Sequence, residues 1–255
     1  RIKKILNKKN KSKIICLTSY SKNIAEEADK YADIILVGDS LGSVLYNYDT
    51  TKKVTLTNMI DHSKSVRLGV KKSLMVVDMP YKTYNSTRTA LKNAKKIMKE
   101  TRCDAVKLEG GKEIINQIKL LIKNKIPVMG HLGLLPQTNK GKFKSKGKTE
   151  NEKKQLIDDS ILLQKNGVFS IVLECVKTST AQQITQKLKI PTIGIGSSVH
   201  CDGQVLVTDD LIGLNESNIK FVKKFLNIKK YINLGLKKFV SDVRSKKYPS
   251  KKYSY

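Results

Sequence analysis

Five short apolar runs in this chain end on, or just before, residues able to do chemistry. Ile34 to Val37 leads into Gly38-Asp39-Ser40, Leu74 to Val77 into Asp78, Ala105 to Leu108 into Glu109, Val128 to Gly130 into His131, and Ile171 to Leu173 into Glu174. Read as strands, they carry an ionisable group to the edge of a buried sheet five times over. Lys107 and Glu109 stand two apart, so both side chains share one face of their strand. Asp39, Asp78 and Glu109 make an all-oxygen donor set without a paired histidine or cysteine. That chemistry suits a hard cation such as Mg2+, which keeps some of its waters. Any one of these acids taken alone reads first as a cap on the following helix; five strand ends together read as a site.

The other groups fill complementary roles. A Lys107 ammonium in such a mouth would neutralise a substrate carboxylate or an enolate oxygen; the alternative is an internal ion pair with Glu109. Glu174 follows Ile171-Val172-Leu173, where desolvation raises a carboxyl pKa and poises it as a general base. His131 stays open between a base, a substrate donor and a core histidine. His62, in a helical stretch, and His200, in a loop, read as structural or surface residues.

Strand ends can meet at one mouth only if the strands run parallel. Fully apolar strands separated by helical stretches indicate a parallel sheet covered on both faces. Strands are expected at 14–18, 34–38, 73–77, 105–108, 127–130, 169–173, 191–196 and 204–207, with helices at 23–31, 57–68, 86–99, 113–123, 150–164 and 178–188. Thr57 is the expected N-cap of the second of these helices. Residues 1–13 read as a basic polar lead, 43–56 as a loop, and Ile219 to Tyr248 as a basic helical tail. Residues 134–149, with Lys140, Lys142, Lys144, Lys146 and Lys148, form a polar loop that is either a solvated turn or a lid gathering anions.

Seven or eight βα units in 255 residues make a (β/α)8 TIM barrel, residues 1–255 in a single domain with that C-terminal tail, the expected architecture. A doubly wound open sheet is the runner-up, but its Gly-rich phosphate loop after the first strand is missing.

Composition narrows the function. The formal charge of +28 invites a nucleic-acid reading, yet of 50 basic residues only Arg1, Arg67, Arg88, Arg102 and Arg244 are arginine. The lysines are spread over helix surfaces, loops and tails rather than gathered in one stripe, so no specific nucleic acid is expected. The field would still attract anionic substrates. No run approaches the roughly 18 apolar residues of a membrane span, and Arg1-Ile2-Lys3-Lys4 does not begin a secretory signal. Cys16, Cys103, Cys175 and Cys201 lie far apart without a C-x-x-C pair. A cytoplasmic enzyme in a reducing compartment is the expectation.

Several longer segments carry a family resemblance. ILVGDSLG (35 to 42), VTLTNMIDHSKSV (54 to 66), VVDMP (76 to 80), AVKLEGG (105 to 111), IPVMGHLGLLPQ (126 to 137), LECV (173 to 176), IPTIGIG (190 to 196) and CDGQVLV (201 to 207) resemble, in order and over nearly the whole chain, the ketopantoate hydroxymethyltransferase family. The resemblance implies a (β/α)8 barrel assembled as a homo-oligomer, commonly a decamer, that uses Mg2+. It implies transfer of a hydroxymethyl group from 5,10-methylenetetrahydrofolate, a folate co-substrate, to the oxoacid 3-methyl-2-oxobutanoate, through a Mg2+-stabilised enolate, in pantothenate biosynthesis. By position, Asp39 and Asp78 match the family's metal-binding aspartates and Glu109 its third acidic ligand. Ser40, Asp78 and Lys107 match oxoacid contacts, and Glu174 matches the proton acceptor. Three positions depart from the usual pattern: Ser198 replaces the last glycine of a GIGAG turn, Leu135 replaces a threonine before Pro136-Gln137, and Ser21 replaces an aspartate. They bear on folate binding and loop closure, not on the catalytic set. Two alternatives remain: a related Mg2+-dependent oxoacid lyase or mutase barrel, whose characteristic cysteine loop motif is not found here, and a basic nucleic-acid-binding protein.

Overall fold

The structure is a computed structural model that describes residues 1–139 and 144–255, so Lys140 and Lys142 lie outside the described residues. The chain divides into two compact units, residues 1–207 and 208–255.

In the first unit eight strands, β1 (Ile14–Thr18), β2 (Ile34–Val37), β3 (Leu74–Asp78), β4 (Ala105–Glu109), β5 (Val128–Gly133), β6 (Ser170–Glu174), β7 (Thr192–Ile195) and β8 (Gly203–Leu206), run parallel and close into a barrel with β8 against β1. Around them lie α1 (Ile2–Leu6), α2 (Lys22–Ala28), α3 (Leu41–Tyr46), α4 (Leu56–Gly69), α5 (Thr87–Thr101), α6 (Ile115–Lys123), α7 (Glu150–Lys165) and α8 (Thr178–Lys187). The expected (β/α)8 TIM barrel is therefore observed.

The strands read as continuous apolar runs because both of their faces are covered. One alternate set, including Cys16, Leu36, Val76, Ala105, Met129, Val172, Ile193 and Val205, fills the barrel interior. The other set, including Val37, Val77, Val106, Leu108, Ile171 and Leu173, packs outward against helix residues such as Met59, Ile97, Ile118, Leu163 and Ile184. Strand periodicity then decides the mouth. Asp78 follows Val76 by two residues, Lys107 and Glu109 follow Ala105 by two and four, His131 follows Met129, and Glu174 follows Val172. All five inherit the inward orientation of the residues beneath them.

The other end of the barrel corrects one expectation. Residues 1–13 are not merely a polar lead: Ile2, Ile5 and Leu6 of α1 join the interior cluster, with Ile5 buried. The i, i+3, i+4 spacing of those residues is helical, although the element is only five residues long. Just after it, the Lys9 ammonium pairs with Asp202 Oδ2 at 2.8 Å, with both side chains almost wholly buried. Asp202 also accepts from the Thr192 backbone N–H at 2.8 Å, which ties the lead to the starts of β7 and β8.

Two further boundaries differ. The cap of α4 is Thr55, not Thr57; its hydroxyl accepts from Asn58 N–H while the Asn58 side chain accepts from Thr55 N–H, a reciprocal capping box. The 43–56 stretch holds the end of α3 and a 3-10 turn at Thr51–Lys53 rather than loop alone.

The second unit contains α9 (Thr208–Leu211) and α10 (Ile228–Arg244). Helix in the tail is thus shorter than the expected 219–248, and no residue of α10 is buried.

Candidate active site at the C-terminal mouth of the barrel

The mouth gathers all seven residues singled out from the sequence, and six of them form one connected network. Asp39 leaves β2 at Gly38, where a Cβ would crowd the Ser40 hydroxyl, and donates its backbone N–H to Asp78 Oδ2 at 3.1 Å. The Lys107 ammonium lies 3.1 Å from Asp78 Oδ1 and 3.3 Å from His131 Nδ1. His131 Nδ1 is 3.7 Å from Glu109 Oε1, and its Nε2 is 3.2 Å from Glu174 Oε2. Asp39, Asp78, Lys107, Glu109, His131 and Glu174 are all buried. Ser40, half-buried at the start of α3, shares a hydrogen bond of 2.8 Å with the Tyr20 hydroxyl.

One tautomer of His131 fits this network. An ammonium has no lone pair to offer, so Nδ1 accepts from Lys107 and the ring proton sits on Nε2, facing the Glu174 carboxylate. Burial, reinforced by Lys107, holds the imidazole pKa well below its ordinary value, so the ring is neutral.

The carboxylates are perturbed in the opposite sense. Burial pushes Glu174 up to about 7, with Lys107 partly offsetting it. Asp39 is also pushed up to about 7, by burial and then by the neighbouring Asp78, and Glu109 is raised well above its usual range by burial and by Asp39. For Lys107, burial alone would lower the pKa, but Asp78, Glu109 and Asp39 outweigh it and keep the side chain an ammonium. This is a desolvated, over-acidic pocket with one fixed cation in it.

The donor chemistry fits a divalent cation. Asp78 Oδ1 and Glu109 Oε1 are buried without a hydrogen-bond partner; the Lys107 ammonium near Asp78 Oδ1 forms an ion pair that is not aligned as a hydrogen bond. Buried oxygens in that condition are normally satisfied by something. Among the described residues no three His, Cys, Asp or Glu side chains close around a common point by themselves. A cation here would complete its shell with water and substrate oxygens, the usual habit of Mg2+.

Residues that carried no role in the sequence complete the site. Gln137, buried after β5, donates its amide to Asp39 Oδ2 at 2.8 Å and its backbone N–H to Glu109 Oε2 at 3.0 Å. Tyr84 donates its hydroxyl to Gln137 Oε1 at 2.6 Å. The available signal was a polar side chain closing the apolar stretch Leu132-Gly133-Leu134-Leu135-Pro136-Gln137. Gly133 lets β5 approach the end of β6: its φ is +98°, and any Cβ would strike the Glu174 carbonyl oxygen. His62 lies outside the network, pinned between the Tyr20 carbonyl at 2.7 Å and the Tyr46 hydroxyl at 2.8 Å. Of the departing positions, Ser21 occupies the N-cap position of α2 without a side-chain capping bond, and Ser198 is buried, accepting from His200 N–H at 3.2 Å. Among the described residues no helix is long and apolar enough to cross a membrane.

Comparison with known proteins gives a consistent result. The family model described as ketopantoate hydroxymethyltransferase matches residues 1–251. A 3-methyl-2-oxobutanoate hydroxymethyltransferase of Pelagibacter ubique is 64% identical over 256 residues, covering 99% of this chain and 99% of its own. Proteins of the same name from Anaplasma marginale and Helicobacter pylori are 43% and 44% identical, each over 97% of this chain and over 90% and 93% of their own. Among solved structures, phosphonopyruvate hydrolase in complex with oxalate and Mg superposes with a TM-score of 0.62 at 10% identity, covering 99% of this chain and 92% of that one. A 2,3-dimethylmalate lyase superposes with a TM-score of 0.60 at 11% identity, covering 96% of each chain. At those identities the likeness is one of fold.

Proposed function

The chain belongs to the ketopantoate hydroxymethyltransferase family, and from that membership we propose that it transfers a hydroxymethyl group from 5,10-methylenetetrahydrofolate to 3-methyl-2-oxobutanoate. With one water consumed, the products are 2-dehydropantoate and tetrahydrofolate, which places the enzyme in pantothenate biosynthesis. The single observation that carries this reading is the buried chain Asp78, Lys107, His131, Glu174, in which a fixed ammonium and a carboxylate of raised pKa flank one neutral imidazole.

The oxoacid must lose the proton on C3 and expose the resulting enolate to the one-carbon donor. Glu174 is the base: desolvation makes its carboxylate a stronger proton acceptor than an exposed one, at a pKa matched to neutral pH. His131 Nε2 lies 3.2 Å from that carboxylate without an aligned hydrogen bond, and the ring, being neutral, does not neutralise it. Lys107 and the Ser40 hydroxyl bind the oxoacid, and the ammonium compensates negative charge as it moves onto the keto oxygen. Asp39 and Asp78, with Glu109 as the third acidic partner, would hold Mg2+. When bound, that ion supplies Lewis-acid stabilisation of the same developing charge. The burial of the whole set strengthens these electrostatic interactions relative to bulk water.

The assembly proposed is a homo-oligomer, as the family resemblance implies, and sedimentation velocity would give its size. The test of function is direct. Purified protein with Mg2+, methylenetetrahydrofolate and 3-methyl-2-oxobutanoate should yield 2-dehydropantoate, while other oxoacids offered in competition should not react. Absence of product across a range of divalent metals would overturn the assignment.

A further inference from the structure

The segment after β5 touches both halves of the site. Leu134 N–H donates to the Glu174 carbonyl at 2.8 Å, and three residues later Gln137 reaches the acidic pair on the far side. The Gln137 side chain is held with every polar atom in use. Its Nε2 donates to Asp39 Oδ2 at 2.8 Å and to the Met79 carbonyl at 3.0 Å, and its Oε1 accepts from the Tyr84 hydroxyl at 2.6 Å. The Met79 carbonyl can only accept, so the reverse amide orientation would set oxygen against oxygen there. Tyr84 in turn lies within 3.4 Å of the Glu109 carbonyl, and the Gln137 backbone N–H donates to Glu109 Oε2 at 3.0 Å. Gln137 therefore occupies one oxygen of Asp39 and one oxygen of Glu109. It leaves Glu109 Oε1 buried and without a hydrogen-bond partner.

We infer that Gln137 is a positioning residue for the divalent cation: it selects which oxygen of Asp39 and of Glu109 is presented to the ion, and Tyr84 fixes the amide orientation that makes this possible. The inference rests on the Mg2+ reading of the site given above. The side-chain amide donates to Asp39 and the backbone N–H of the same residue donates to Glu109, so Gln137 reaches both carboxylates without adding charge of its own. A carboxylate in its place would still accept from Tyr84 but could not donate to Asp39. A thioether of similar length would fill the space and do neither.

Binding of Mn2+ to the substrate-free protein, followed by calorimetry and by the electron spin resonance signal of free Mn2+, tests this without reference to turnover. Gln137→Met and Gln137→Glu are expected to raise the Mn2+ dissociation constant roughly tenfold to a hundredfold, the usual effect of removing an outer partner of a metal ligand. Tyr84→Phe is expected to raise it less, in the same direction, and decides the question if either Gln137 variant fails to fold. Wild-type affinity in Gln137→Glu and Tyr84→Phe, with only a lowered melting temperature, would make Gln137 a packing residue and overturn the inference alone. Wild-type protein that binds no Mn2+ at millimolar concentration would overturn the cation reading of Asp39, Asp78 and Glu109, and the inference with it.

Discussion

His131 Nε2 lies 3.2 Å from Glu174 Oε2, while the other ring nitrogen lies 3.3 Å from the Lys107 ammonium. One imidazole therefore separates the ammonium proposed to compensate charge on the oxoacid from the carboxylate proposed to take its proton. If Lys107 and Glu174 were in direct contact they would form an ion pair, and the carboxylate would be a weaker base. The neutral ring keeps them apart.

The proposed base sets the pH profile. Burial raises Glu174 to about 7, and only its carboxylate form accepts a proton. The rate of C3 proton exchange in 3-methyl-2-oxobutanoate is expected to rise with pH, reach half its plateau near 7 and stay level above 8. Exchange measured by NMR between pH 5.5 and 8.5 checks this, and a flat profile contradicts it.

The same shift has a signature in stability. A carboxyl group whose pKa is raised on folding stabilises the folded chain while it is protonated; that contribution is complete below its unfolded value of 4.5 and lost as pH rises through about 7. The difference is at most about 3 kcal/mol, from roughly 1.4 kcal/mol per pKa unit. Glu174→Gln should therefore gain stability relative to wild type as pH rises from 4.5 to 8 in the presence of chelator. Parallel curves of melting temperature against pH for the two proteins would rule this out.

Lys107 is expected to matter for substrate as well as for folding, since its pair with Asp78 is as buried as that of Lys9 with Asp202. Lys107→Met removes the cation that faces Asp78 and the oxoacid, and kcat/KM should fall by roughly 100-fold or more, the scale of losing one preorganised electrostatic partner. Steady-state kinetics would show this as a raised oxoacid KM together with a lowered kcat. A kcat/KM within threefold of wild type would remove Lys107 from the substrate site.

Lys9 should affect stability alone. Its pair with Asp202 is buried at the end of the barrel away from the mouth, and removing one partner of such a pair costs about 3–5 kcal/mol. Lys9→Met should lower the unfolding free energy from urea titration by that amount while kcat and KM of the folded protein stay at wild-type values. A stability change below about 1 kcal/mol would show the pair to be dispensable.

The barrel and its mouth were legible in the chain because strand periodicity is rigid. Once Val76, Ala105, Met129 and Val172 face inward, Asp78, Lys107, Glu109, His131 and Glu174 must do so as well. The short lead helix was not legible: three apolar residues among lysines cover barely one turn, and only the barrel interior gives Ile5 its partner. Gln137 and Tyr84 were hidden for a different reason. An amide and a phenol 53 residues apart share no local pattern, and their meeting depends on how the loops after β3 and β5 cross the mouth. The cap of α4 was misplaced by two residues because Thr55 and Thr57 are both competent caps; Asn58, three residues after Thr55, decides between them.

Glu174 is proposed to take the C3 proton of an oxoacid held by Lys107 and its neighbours. The measurement that tests it most directly is solvent deuterium exchange at C3 of 3-methyl-2-oxobutanoate in the presence of Mg2+ and the absence of folate, comparing wild type with Glu174→Gln. Wild type should exchange the proton, and Glu174→Gln should bind the oxoacid with similar affinity yet exchange it at least a thousandfold more slowly, near the rate in buffer. Exchange by Glu174→Gln at a rate close to wild type would contradict the account and assign the proton to another group.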